Sequence, residues 1–143
     1  MAQPLEGTTL LEFLQAGTRT AKVAVTRKDG SASVSPVWFV LDGEDICFTT
    51  LNTSLKYKAI VRDPRVSVSV DEESYPYAFA TIRGTAAIEK LTVKELLPWA
   101  TRIAARYVPA DQAQEFGRRN AVPEEVLIRI TPDQTFAWSG VAD

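Results

Sequence analysis

Two Asp-Gly pairs, Asp29-Gly30 and Asp42-Gly43, constrain this chain more than any other feature. Asp-Gly between alternating segments is a strong signal for a hairpin turn, because the turn needs positive φ and glycine supplies it without strain. The flanking segments alternate as strands do. Val23 and Val25 alternate with Lys22 and Thr26 over 20–28. Ser33 and Ser35 alternate with Val34 before 32–41 turns apolar, and Ile46 to Thr50 follows the second turn. Three strands joined by two turns predict an antiparallel meander.

Helices and further strands complete the pattern. Thr9-Leu-Leu-Glu12 fits a capping box, and Leu10, Leu11, Phe13 and Leu14 give an apolar face, so a short helix is expected over 8–16, stopping near Gly17. A second helix is expected over 55–62, capped by Thr53 or Ser54, with Leu55, Ala59 and Ile60 facing one way. Asp63-Pro64 ends it, since the residue before proline disfavours the α region. Val66, Val68 and Val70 mark a half-buried strand, and 77–90 a longer one with a bulge or bend at Gly84. Thr92 and Glu95 form a second capping box for a helix over 93–107, and a helical stretch over 110–119 follows Pro109. Val126 to Ile130 reads as a strand, and Phe136 to Trp138 as a short closing one. The expected fold is mainly β: a six-stranded antiparallel closed barrel with peripheral helices, in a single domain over 1–143.

The 143 residues contain no histidine and one cysteine. That removes His-containing zinc sites, proximal-His haem and Ser-His-Asp catalysis together. Cys47, in an apolar run, reads as a small core residue, and a reducing cytoplasmic home fits. Neither a signal peptide nor an apolar run long enough for a membrane helix is seen. A net charge of −2 with no basic block argues against a nucleic-acid partner.

The segment Phe48-Thr-Thr-Leu-Asn-Thr-Ser-Leu-Lys56-Tyr-Lys58 can carry chemistry. The hydroxyls of Thr49 and Thr50 end a strand, and Ser54 opens a helix whose free N–H groups carry partial positive charge. Lys56 and Lys58 lie in the first turn, where a cation opposes the helix dipole. Their presence makes sense if a phosphate is held there by amides, hydroxyls and ammonium groups together. Spacing alone favours the plainer reading, in which the hydroxyls merely cap and both lysines are solvated.

Phe48-Thr-Thr-Leu-Asn-Thr-Ser-Leu-Lys56 resembles the segment of pyridoxamine-phosphate oxidases that runs Phe-Tyr-Thr-Asn, two further residues, then Ser-Arg-Lys. The resemblance implies the flavin-binding split barrel of that family, with Thr50, Ser54 and Lys56 on the flavin phosphate. It lays Pro36 and Val37 against the ring system, with Ser35 and Trp38 nearby. Phe136-Ala-Trp138-Ser-Gly140 resembles the family's late Phe-Trp-x-Gly, which reaches the cofactor of the partner subunit. A homodimer with cofactor sites at the interface follows as an expectation. The order of elements over 9–140, the Arg62-Asp-Pro-Arg65 run and the Arg118-Arg-Asn120-x-Val-Pro stretch resemble the deazaflavin-using branch, the coenzyme F420-dependent oxidoreductases, and add Asn120 to the candidates.

The chain also departs from the oxidases. Leu55 stands where they carry arginine, and Val34 and Phe39 where they carry basic residues. Their Arg-x-His-x-x-Arg substrate tail has no counterpart, so vitamin B6 oxidation is not expected. Fewer cations around the phosphate favour F420 over FMN as the cofactor. The implied activity is hydride transfer between that cofactor and a small planar conjugated substrate. Non-catalytic carriage of a flavin or deazaflavin, and an interaction module with a vacant barrel, are the other readings. Trp99 reads as a core or interface anchor, and Tyr75-Pro-Tyr77 as an exposed connection or a substrate gate. Arg102, Arg106, Arg118 and Arg119 read as a solvated helix face or a contact for an acidic cofactor tail.

Overall fold

The computed structural model describes residues 1–143. It contains eight strands and four α-helices: β1 (Gln3–Pro4), α1 (Gly7–Gln15), β2 (Ala21–Thr26), β3 (Ala32–Val37), β4 (Val40–Asp42), β5 (Asp45–Leu51), α2 (Leu55–Arg62), β6 (Arg65–Glu72), β7 (Ala78–Glu89), α3 (Val93–Tyr107), α4 (Ala113–Asn120) and β8 (Glu125–Ser139). A 3₁₀ turn, Ala110–Gln112, leads into α4.

The strands form one antiparallel sheet in the order β3-β2-β6-β7-β8-β5-β4, with β1 paired to β8. Its two edges, β3 and β4, are separated in sequence by Trp38 and Phe39 alone. The chain therefore closes the ring itself: 32–42 is a bent stave whose first half pairs with β2 and whose second half pairs with β5. Counted that way the barrel has the six staves expected. The single strand expected over 32–41 is thus two, because one straight strand cannot reach partners at both edges.

Two other expectations change. Val126–Ile130 and Phe136–Trp138 belong to one strand, β8. Pro132, between the two segments, sits opposite Gly84, where a register shift between Arg83 and Gly84 absorbs it. A Cβ on Gly84 would lie 2.7 Å from both Ile130 Cγ2 and the Thr131 carbonyl oxygen, so the close approach requires glycine. Helix α1 also begins earlier than expected. Its N-cap is Glu6, whose N–H donates to the Thr9 hydroxyl at 3.3 Å, so the Thr9–Glu12 capping box does not form the start. The Thr92–Glu95 box forms as expected, with both reciprocal bonds present.

Alternation sorts the side chains into two cores. Inward residues such as Val23, Val68, Ile82, Phe48 and Ile128 fill the barrel, and α1 contributes Leu14. Outward residues Val40, Cys47 and Leu127 pack under Leu96, Ala100 and Ile103 of α3. Fully burying each large aliphatic or aromatic side chain stabilises by about 1.5–3 kcal/mol, so the inner cluster dominates the fold. Helix α1 lies at the barrel end that holds Glu44. Helix α2 lies at the other, with Ala59 and Ile60 buried there and Leu55 left 42 % exposed. The outer face of β2, β3, β6, β7 and the second half of β8 carries no helix, and Val34 and Phe136 stand 66 % and 61 % exposed on it. No helix is long and apolar enough to cross a membrane.

Candidate phosphate-binding site

The end of β5 and the start of α2 are joined by side chains as well as by backbone. Ser54 caps α2, its hydroxyl accepting from the Tyr57 N–H at 3.0 Å. The buried Thr50 hydroxyl donates to the same Ser54 oxygen at 2.9 Å. Lys56 leaves the first turn of α2 and donates from Nζ to the Ser35 hydroxyl of β3 at 2.7 Å. That contact links the helix to the bent stave. Lys56 is half-buried and enters no ion pair. Burial holds its pKa below the ordinary lysine value, since removing water disfavours the charged form.

Four of the expected residues therefore form two hydrogen-bonded pairs around the start of α2, Thr50 with Ser54 and Ser35 with Lys56. Strand alternation separates others. Thr49 points away from Thr50, on the strand face of Leu51 and its partner Glu125, whose carboxyl pKa is pushed up by burial. Pro36 pairs with Lys22 on the exposed outer face, whereas Val37 packs against the inner core. Trp38 lies at the bend with one ring face stacked on Tyr107, centroids 5.2 Å apart and planes 7° from parallel. Its neighbourhood is α3 and α4 rather than Lys56. Asn120 is the half-buried last residue of α4. Trp138 sits on the uncovered sheet face in an aromatic row with Phe136 and Phe79, apart from Lys56 within one copy of the chain.

Lys58 opens onto a groove of about 470 Å³ between α2 and the β2–β3 loop. Arg27, Lys28, Lys58 and Arg62 line it with Thr53, Leu55 and one carboxylate, Asp29. None of the four cations forms an ion pair, and Asp29 is engaged by Ser31. Lys58 and Arg62, four residues apart on one helix, repel one another. A local excess of positive charge in a chain of net charge −2 is an electrostatic cost to the fold that a bound anion would relieve. The sequence reading missed Arg27, Lys28 and Arg62. Their signal, two basic residues beside the first Asp-Gly turn, acquires meaning only when the loop folds against α2.

The late-helix arginines divide. Arg102 and Arg106 donate to backbone carbonyls and serve structure, whereas Arg118 and Arg119 are exposed. Trp99 is covered by the guanidinium groups of Arg102 and Arg129, an anchor as expected.

The sequence profile of the pyridoxamine 5'-phosphate oxidase family matches residues 8–139. No curated protein sequence matches closely enough to count as a relative. An F420 reductase is similar in structure, at 25 % identity with a TM-score of 0.71, covering 87 % of this chain and 94 % of its own. A FAD-binding protein from Mesorhizobium loti is 19 % identical with a TM-score of 0.70, covering 96 % of each chain. The heme-storage protein HutZ from Vibrio cholerae is 18 % identical with a TM-score of 0.73, covering 99 % of this chain and 100 % of its own. These last two likenesses are of fold alone. A profile that spans nearly the whole barrel, from α1 to the end of β8, places this chain in the pyridoxamine 5'-phosphate oxidase family.

Proposed function

We propose that this protein is an oxidoreductase that holds a phosphorylated deazaflavin (F420) or FMN and serves hydride transfer to a small planar conjugated substrate. The observation that carries the reading is the cradle at the β5–α2 junction. Ser54 and Lys56, two residues apart at the start of α2, supply an O–H and an ammonium, with no carboxylate paired to the lysine. A donor set of this kind fits an acceptor-only oxyanion such as a phosphate. The cation-lined groove beyond Lys58 favours a ligand with further negative charge, hence F420 over FMN. The similarity to an F420 reductase points the same way.

A bound flavin or deazaflavin supplies the redox chemistry. The chain's own groups bind and orient: Ser54 and Lys56 fix the anionic end. We infer further that two copies pair through the uncovered face of the sheet, each bringing its aromatic row towards the other's cradle. Two features support this. Val34 and Phe136 are large apolar residues left open on that face. The chain exposes 8097 Å², against about 7300 Å² for a monomer of 15.8 kDa.

Non-catalytic cofactor carriage is the second reading, favoured by the likeness in fold to a heme-storage protein. Titration of the protein with F420 and with FMN, followed by fluorescence quenching, tests the cradle, and binding of neither at micromolar concentration sinks both readings. Turnover of a quinone or dye substrate with reduced cofactor then separates enzyme from carrier.

A further inference from the structure

Two side chains of the cradle region are placed to act on other side chains. Thr50 is 8 % exposed, and its hydroxyl is spent on Ser54. Ser54 Oγ accepts from both Thr50 and the Tyr57 N–H, which fills its two lone pairs. Its own proton then has no role except as a donor away from that pair. Without Thr50, one lone pair would be free and the hydroxyl would no longer be committed.

Ser35 plays the equivalent part for Lys56. A lysine in the first turn of a helix has four rotatable methylene bonds, and water would hold its ammonium well away from the protein. The 2.7 Å bond to Ser35 instead draws Nζ back over the barrel end, from a residue 21 positions distant in sequence. The ammonium keeps two further N–H donors, and it has no carboxylate neighbour to absorb them.

We infer that Ser35 and Thr50 are positioning residues: Ser35 aims the Lys56 ammonium and Thr50 commits the Ser54 hydroxyl as a donor, so that an oxyanion is gripped by Lys56 and Ser54 with neither Ser35 nor Thr50 touching it. This assignment rests on the cradle reading above. It differs from the expectation drawn from family resemblance, in which Thr50 contacts the phosphate and Ser35 lies beside the ring.

Non-additivity tests it. Affinities for FMN and F420 are measured for the wild type, Lys56→Ala, Ser35→Ala, Ser35→Thr and the Lys56→Ala/Ser35→Ala double variant, with melting curves as a control for folding. A lost charge-assisted contact weakens binding about tenfold or more, and loss of its positioning partner about three- to tenfold. The expected results are weaker binding by Lys56→Ala and by Ser35→Ala, recovery by Ser35→Thr, and a double variant no weaker than Lys56→Ala alone. Thr50→Val should likewise add nothing once Ser54→Ala is present. A double variant in which the two losses multiply shows that Ser35 touches the ligand itself and overturns the positioning role. So does a Ser35→Ala variant with wild-type affinity while Lys56→Ala is impaired, and in both cases the cradle survives. If Lys56→Ala binds as the wild type does, or the wild type binds neither cofactor, the cradle falls and the positioning role with it.

Discussion

The guanidinium of Arg106 lies 4.4 Å over the ring of Phe39 while Nη1 donates to the Phe39 carbonyl at 2.9 Å. Helix α3 is thereby clamped to the bend that closes the barrel. The remaining donors of Arg106 reach the carbonyls of Leu14, Ala16 and Gly17, where α1 ends without a basic residue of its own in its last turn. One side chain thus caps one helix and fixes the barrel closure. Arg106→Ala should cost about 2–4 kcal/mol, from lost charge-assisted hydrogen bonds and stacking. Arg106→Lys should recover little, because an ammonium cannot reproduce the planar fork. Urea denaturation checks both, and an effect below about 0.5 kcal/mol, typical of an uninvolved surface position, would refute the clamp.

Gly117 meets Thr101 where α4 crosses α3. A Cβ at Gly117 would stand 2.9 Å from the Thr101 Cα, so only backbone movement makes room. Gly117→Ala should destabilise by about 1–3 kcal/mol through overpacking, despite alanine's better helix propensity. Combining it with Thr101→Ala should not restore stability, since the clash involves the Cα and Cβ that alanine retains. Full rescue in a denaturation experiment would contradict the geometry.

Cys47 is fully buried beneath α3, and burial pushes its thiol pKa up to about 11. At pH 8 roughly one thiol in a thousand is ionised, and the reactive thiolate is also shielded. An aromatic disulfide reagent should leave the native protein unlabelled over the time in which it labels the urea-unfolded chain completely. Rapid native labelling would mean that α3 does not cover β5.

Asp63 ends α2 and accepts from the Arg65 guanidinium at 2.8 and 3.0 Å. Those bonds hold its carboxyl at about 2, below an ordinary value of 3.8. A depressed carboxylate stabilises the fold above its unfolded pKa, and the contribution disappears as pH falls through the folded value. The stability difference between the wild type and Asp63→Asn should therefore be level above pH 5 and shrink between about pH 4 and pH 2. A difference that grows on acidification would reverse the assignment.

Much of this was legible in the sequence because local signals agreed with the global fold. The Asp-Gly turns, the valine alternation of β6 and the capping box of α3 each specified an element without help from tertiary contacts. The bend at Trp38 and Phe39 was not legible, since 32–41 reads as one run and only sheet closure demands a break. The continuity of β8 through Pro132 was not legible for a related reason: it depends on Gly84, distant in sequence. In the candidate site, the Thr50, Ser54 and Lys56 grouping could be read from one contiguous segment. The separation of Thr49 from Thr50 follows from strand alternation, which the resemblance on its own does not convey. The groove shared by Arg27, Lys28 and Arg62 joins two segments that only the folded barrel brings together.

The central claim is that the β5–α2 junction grips a cofactor by its phosphate. Its most direct test compares whichever of F420 and FMN binds more tightly with the phosphate-free form of the same molecule, by fluorescence titration of the wild-type protein at fixed salt. Removing the phosphate is expected to weaken binding at least about tenfold, through the loss of a charge-assisted contact. Equal affinity for the two forms would contradict it.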